Sequence, residues 1–259
     1  QCVLGIASGL ATTGKIPVFC AIAPFVTARP FEMFRNDIGY MRQNVKIVGR
    51  NSGVSYSDLG ATHHSLEDFA ITRMIPGVTV LAPQDPEEIV SAVNAMLACD
   101  GPVYMRIGND PIPDLPIPRP FAIGKGQVIR EGTDVSVIST GTLTGAVIAA
   151  TEILENRGIS ARVVGMPTVY PIDHELICEC ARKTGLIVTV EEHYVIGGLG
   201  TIVQESVCDG DLHAKVRKLG LPYTYATSGP YRELMAHYGL DAKGIAESAA
   251  SFVSAAASA

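Results

Sequence analysis

The chain has 259 residues, 47% hydrophobic and 18% charged, with a net charge of −6. This balance excludes a disordered tail, a collagen-like repeat and a disulfide miniprotein, and fits one large globular unit or two ordinary ones. The acidic charge argues against nucleic acid or an anionic membrane as main partner, and Glu191 and Glu192 break the most apolar run, Gly185 to Val203, before it reaches the ~20 residues of a membrane span.

The start, Gln1 to Thr13, lacks the basic residues of a secretory leader, so a cytoplasmic location is expected. Six cysteines (Cys2, Cys20, Cys99, Cys178, Cys180 and Cys208) form no CxxC pair. Cys178-Glu-Cys180 is too tightly spaced for the usual zinc site, so reduced structural thiols are expected. Pro24-Phe25 follows an apolar strand, and by pattern alone Phe25 is an ordinary core aromatic. Val45–Gly49, Val78–Ala82 and Pro102–Ile107 are short β-branched or apolar runs bounded by Gly or Pro, and read as strands. Between the last two, Asp85 is placed to cap a helix that opens with Pro86 and puts Ile89, Val90, Val93, Met96 and Leu97 on one face. Strand, helix, strand in that order predicts parallel pairing through a right-handed crossover.

Asp58-Leu-Gly-Ala-Thr-His-His64 is the most polar cluster of the first half. Two adjacent histidines in a Gly-containing loop at the mouth of an α/β sheet suit proton transfer near neutral pH. The ordinary alternative is that one caps a helix and the other is solvated; spacing alone does not choose.

Asp110 to Pro120 carries five prolines in eleven residues, which no packed helix or central strand accommodates, and reads as a stiff, extended linker. Alternation then resumes: a strand over Asp134–Thr140, a helix over Leu143–Asn156 burying Val147, Ala150 and Leu154, and a strand over Ala161–Met166. A helix capped by Asp173 follows through Arg182, then a strand over Gly185–Val190. Gly197-Gly-Leu-Gly200 is only loosely like a dinucleotide-binding loop, because a third Gly at the needed offset is absent and the acidic pair precedes it; a tight strand-to-helix turn is expected. The Ala/Ser-rich end, Ala249 to Ala259, reads as a fraying helix tail. The expected fold class is α/β, in two domains that are each a mostly parallel sheet flanked by helices: residues 1–112, a Pro-rich linker at 113–125, and residues 126–259.

Read together, several segments resemble the C-terminal half of transketolases, and more closely the separate C-terminal subunit of split transketolases. They are Gln1–Ala11, Ala23–Arg29, Phe34–Asn36, Asn44–Val48, Leu59–His64 and Gly101–Arg106, followed by Val190–His193, Gly197–Gly200 and Tyr238–Ile245. The resemblance implies a thiamine diphosphate enzyme moving a two-carbon ketol or related acyl group from a ketose-type donor to an aldehyde acceptor. In that family the domain matching residues 1 to ~112 is the pyrimidine-binding domain. The diphosphate and a divalent metal such as Mg²⁺ are held elsewhere, through a Gly-Asp-Gly motif that is absent here. The resemblance therefore implies a partner, an N-terminal diphosphate-binding subunit, in a two-plus-two heterotetramer with no metal ligands of this chain's own.

Residue by residue, Phe25 matches the aromatic that stacks on the aminopyrimidine, with Ile22 beside it as a second cofactor contact. His63 matches the histidine that moves protons on substrate oxygens. Asn51, Asp58, His64 and Asn109 fall at substrate-facing positions. His64 stands where many members have Gln and is expected to support the loop. Sugar-phosphate enzymes of the family often carry His, Asp and Arg where Asn51, Leu59 and Asn109 align. The neutral asparagines would hold a phosphate more weakly, and Asp58 would stand in for the Asp from one position away. The family's carboxylate partner of the pyrimidine, a Glu, aligns immediately before Gln1, and the domain's N-terminal strand and helix align further upstream. Competing expectations are the beta subunit of a 2-oxoacid dehydrogenase, a deoxyxylulose-phosphate synthase-like enzyme, and a non-catalytic assembly subunit; the residue preceding Gln1 would separate the last from the rest.

Overall fold

A computed structural model describes residues 1–118 and 121–258. The first half runs α1 (Cys2–Ala11), β1 (Val18–Ile22), α2 (Ala23–Val26), α3 (Phe31–Met33, continued by a wide turn over Phe34–Tyr40), β2 (Lys46–Arg50), α4 (Asp68–Arg73), β3 (Thr79–Leu81), α5 (Pro86–Ala98) and β4 (Val103–Arg106). The second half runs β5 (Gln127–Arg130), β6 (Val135–Ser139), α6 (Thr144–Glu155), β7 (Ala161–Gly165), β8 (Thr168–Tyr170), α7 (His174–Thr184), β9 (Leu186–Tyr194), α8 (Leu199–Asp209), β10 (Lys215–Leu221), α9 (Tyr231–His237) and α10 (Ala242–Ala257). No helix among the described residues is long and apolar enough to cross a membrane.

Two five-stranded sheets result, in the orders β1-β2-β4-β3-β8 and β10-β9-β6-β7-β5. The pairs β1–β2, β2–β4 and β3–β4 are parallel, as are β10–β9, β9–β6 and β6–β7. Each sheet ends on one antiparallel strand. In the N-terminal sheet that strand is β8, which comes from the second half of the sequence. The central strands β2, β6 and β7 are buried along almost their whole length, on both faces and with Val in each, because helices cover both faces of a parallel sheet. Val147, Ala150 and Leu154 of α6 are buried as their spacing predicts.

α5 begins as expected, with the Glu88 N–H donating to the Asp85 side chain at 2.7 Å. Its inward face is rotated from the expected one. Glu88, Ala92 and Met96 are buried, whereas Val90 and Leu97 are exposed. The cause is polar: buried Glu88 accepts from the Gln84 N–H (2.7 Å) and from Gln127 Nε2 (2.9 Å), which turns the carboxylate, not the Val90 edge, toward the interior. β9 extends four residues past its expected end and carries Glu191, Glu192 and His193 inside it. Residues 111–118 form neither helix nor strand. They lie anchored along α5, not as a free spacer: the Leu115 N–H donates to Asp85 (2.8 Å), the Glu87 N–H to Asp114 (3.1 Å), and Ile117 is buried. Arg119, Pro120 and Ala259, which belong to the expected linker and tail, lie outside the described residues.

One face of α1 is apolar and uncovered. Val3, Ile6 and Leu10 follow helical spacing and are 42–62% exposed, and Val18 on edge strand β1 is exposed as well.

Candidate active site

β1, β2 and β4 pair in parallel, so their carboxyl ends lie side by side and the loops leaving them gather at one end of the sheet. Ligands of open α/β sheets bind at that end. β1 ends on half-buried Ile22 and passes directly into α2, where Pro24 fits the first turn and Phe25 stands half-buried. β2 leads to Asn51, buried and in the left-handed region (φ 55°), whose side chain accepts from Arg50 at 3.4 Å. β4 leads to Asn109, which is exposed.

The histidine loop turns on Gly60. At φ 72° and ψ −165° this is a conformation essentially limited to glycine. The Gly60 carbonyl accepts from the N–H groups of both His63 (2.9 Å) and His64 (3.1 Å). The loop delivers His63 edge-on to Phe25, ring centroids 5.2 Å apart at 68°, and edge-on to Tyr56 at 5.8 Å. Thr62 Oγ1 lies 3.0 Å from His63 Nδ1, the His63 nitrogen that has a partner among the described residues. The Arg29 guanidinium lies 3.9 Å from the Phe25 centroid, so that ring already accepts a flat group against its face.

The two histidines part. Neither caps α4, whose N-cap is Glu67. His64 is buried, not solvated, and neither ring nitrogen has a hydrogen-bond partner among the described residues. Burial holds its pKa below the ordinary value. It lines a separate groove of about 740 Å³ with Glu67, Tyr194, Tyr223 and Tyr225, away from the Phe25 pair. Asp58 is exposed in the turn Ser57–Leu59. The structure thus brings Phe25 and His63 together, with Ile22, Asn51 and Asn109 at the same sheet end, and turns His64 elsewhere.

Sequence reasoning missed a buried polar network behind the site. Arg106 Nη1 donates to Asp68 (3.1 Å), the Tyr104 hydroxyl donates to the other Asp68 oxygen (2.7 Å), and Arg106 Nη2 donates to the Glu192 carbonyl. Glu191 accepts from the N–H groups of Leu199 (2.7 Å) and Gly200 (2.8 Å) at the start of α8, yet burial pushes its pKa up to about 7. Burial pushes His193 down to about 4. The one signal present in the sequence was three successive polar residues, Glu191 to His193, continuing an apolar strand.

Residues 1–111 match the family described as transketolase, pyrimidine binding domain, and residues 124–245 match transketolase, C-terminal domain. The chain is 39% identical to one subunit of the apulose-4-phosphate transketolase of Phocaeicola vulgatus, over 98% of this chain and 81% of that protein. It is 37% identical to a 6-deoxy-6-sulfo-D-fructose transketolase subunit of a Clostridium species, over 95% of this chain and 76% of that one. A solved structure described as a split gene transketolase, inactive beta4 tetramer, superposes with a TM-score of 0.90 at 37% identity, covering 97% of this chain and 80% of that one.

Proposed function

The chain belongs to the transketolase family, as its pyrimidine-binding and C-terminal portions, and from that premise we propose that Phe25 and His63 form this chain's share of a thiamine diphosphate site completed by a partner subunit. The observation that carries the proposal is the Phe25–His63 pair at the carboxyl ends of the parallel strands. The residues fit the cofactor's ring: Phe25 offers a half-buried aromatic face that already takes the planar Arg29 group. When bound, thiamine diphosphate supplies the nucleophilic carbon and electron sink for breaking and forming a carbon–carbon bond. Phe25 and Ile22 hold the pyrimidine, excluding water from its face. His63, steadied at Nδ1 by Thr62, exchanges a proton with substrate oxygens through Nε2. Asn51, Asp58 and Asn109 contact the sugar, and His64 supports the loop from behind.

The reaction in this reading is two-carbon ketol transfer from a ketose-type donor to an aldehyde acceptor. The substrates named for the two relatives, apulose 4-phosphate and a sulfonated fructose, support a sugar with an acidic group at its far end. The diphosphate and Mg²⁺ belong to an N-terminal subunit, two of which join two of these chains. The uncovered apolar face of α1 supports such an assembly, as does the inactivity of a related tetramer made of beta chains alone. Residues 1–112, 113–125 and 126–259 serve as pyrimidine-binding domain, linker and C-terminal domain. A cytoplasmic location, supported by six free cysteines, completes the reading.

The test is reconstitution with an N-terminal subunit and an assay of ketol transfer with and without thiamine diphosphate. Activity should need both additions, and Phe25→Ala should demand more cofactor. Turnover by this chain alone, or an unchanged cofactor requirement in Phe25→Ala, overturns the proposal.

A further inference from the structure

The second half of the chain reaches into the active-site loops through one carboxylate. Glu192 lies in β9, and its side chain is buried. Oε1 accepts from the Val54 N–H at 2.7 Å, across the boundary between the halves. Oε2 accepts from the Tyr231 hydroxyl at 2.9 Å and from Thr142 Oγ1 at 3.5 Å. The backbone beside Val54 is pressed directly on this group: Gly53 sits at φ 62°, and a Cβ there would lie 2.2 Å from Glu192 Oε1.

Gly53 in turn holds the histidine loop. The Gly53 N–H donates to the Ser65 carbonyl (3.1 Å) and the Ser65 N–H to the Gly53 carbonyl (2.8 Å), a two-bond bridge immediately after His63 and His64. On its other side the segment is tied to the end of β4, because both the N–H and the hydroxyl of Ser52 donate to the Ile107 carbonyl (3.2 and 2.9 Å). The front of the histidine loop meets the same region of the second half: the Gly229 N–H donates to the Ser57 carbonyl (3.3 Å), two residues before Tyr231. The loop carrying His63 is therefore held in front by the backbone before α9 and behind through Gly53, and the hydroxyl of Tyr231 fixes the carboxylate that holds Gly53.

We infer that Glu192, seated by Tyr231, is a positioning residue that sets the placement of His63. The inference rests on the reading of His63 as the proton-transfer group. Glu192 touches neither substrate nor cofactor in it; it acts through Val54, Gly53 and Ser65. The carboxylate suits the task because it accepts from both sides at once, whereas a buried amide N–H left without an acceptor would pull the loop out of register.

The experiment compares Glu192→Ala, Glu192→Gln and Tyr231→Phe in the full chain and in the reconstituted complex. In the full chain, hydrogen exchange of the Val54 and Ser65 amides is followed, with Val147 of α6 as internal standard. In Glu192→Ala both amides should exchange at least ~10-fold faster while Val147 is unchanged, reporting a local opening. In the complex kcat should fall by ~10- to 100-fold with little change in KM, the cost of a misplaced catalytic group. Glu192→Gln, which keeps an acceptor for Val54, should restore most of both. Tyr231→Phe should give the same pattern more weakly, and carries the test alone if Glu192→Ala does not fold. Unchanged Ser65 exchange in the variants overturns the inference whatever His63 does. So does faster exchange with unaltered kcat while His63→Ala is inactive. If His63→Ala itself turns over normally, it is the reading of the site that has failed, and the amide exchange still reports separately whether Glu192 holds the loop.

Discussion

Phe69 and His193 stack across the boundary between the two halves, ring centroids 5.4 Å apart and 13° from parallel. The Arg106 guanidinium lies 4.4 Å from the same Phe69 centroid. The imidazole completes this stack in its neutral form. Nδ1 lies 2.7 Å from the Tyr194 carbonyl and so carries the hydrogen, while Nε2 accepts from the Ala70 N–H at 3.4 Å. Burial is the main cause that keeps the ring neutral, with help from the Arg106 charge, against Asp68 and the backbone of Tyr194 and Glu67, which favour the charged form. Glu191 lies 3.9 Å from Nδ1, but with the ring neutral this is no ion pair.

Glu191 and His193 should therefore oppose one another in the pH dependence of stability. Glu191 titrates near 7 in the fold against an ordinary 4.5, so the fold keeps a proton that the unfolded chain has lost, and stability drains away as pH rises from 4.5 toward 7. His193 titrates near 4 against an ordinary 6.5, so the unfolded chain gains a proton that the fold refuses, and stability drains away as pH falls from 6.5 toward 4. In the shared interval the two slopes offset each other. Urea midpoints across that interval should show the advantage of the parent over His193→Gln shrinking on acidification, and its advantage over Glu191→Gln shrinking as pH rises. Parallel curves for parent and variants contradict the assignment.

The two partners of the Asp68 carboxylate, Arg106 and Tyr104, should differ in what their loss costs. Asp68→Ala strands a buried guanidinium, a change that costs about 3–5 kcal/mol. Tyr104→Phe removes one donor from a carboxylate that keeps its other partners, at about 1.5–3 kcal/mol. Chemical denaturation of both variants gives the ranking, and a Tyr104→Phe loss larger than that of Asp68→Ala reverses it.

His63→Ala in the reconstituted complex should lose ~100- to 10,000-fold in turnover, the range for a lost general acid–base group. His64→Gln should lose far less, because His64 faces the groove beside Glu67 and not Phe25. Cofactor binding is checked in both. Near-full turnover of His63→Ala, or greater damage in His64→Gln, means the loop has been assigned the wrong way round.

Calorimetric titration of this chain alone with thiamine diphosphate and Mg²⁺ should show no tight binding, because in the proposed site Phe25 and Ile22 would grip only a ring and this sequence contains no Gly-Asp-Gly motif for the diphosphate and metal. Tight Mg²⁺-dependent binding without a partner counts against the divided site.

What the sequence made legible was local. The Asp85 cap, the apolar runs of β2, β4, β6 and β7, and the inward stripe of α6 each rest on residues close together in the chain. What it hid was settled by distant partners. The inward turn of α5 depends on Gln127, thirty-nine residues beyond Glu88. The full length of β9 depends on donors from α8, Val54 and Tyr231 to its two carboxylates, and on the Tyr194 carbonyl and Ala70 N–H beside His193, which together make three polar residues tolerable in a buried strand. β5 and β8, at four and three residues, are too short to show a period. At the site, Phe25 and His63 emerged from family resemblance, whereas the burial of His64 follows from a loop whose two imidazoles are driven apart by the Gly60 turn.

β8 is a borrowed edge. Tyr170 pairs with Val80 and Thr168 with Leu81, and the Ala82 N–H donates to the Pro167 carbonyl at 2.8 Å, so the second half of the chain closes the first half's sheet. A protease that nicked the Pro-rich stretch would therefore release nothing: the two fragments would travel together through a sizing column and separate only in denaturant. Residues 1–112 expressed alone would end on a bare β3, whose unpaired N–H and C=O groups invite the edge of another copy. Swapping C-terminal portions between relatives would fail for the same reason unless the junction carried Thr168–Tyr170 with the part it completes, which makes the useful place to cut and rejoin this chain different from the place where its composition changes.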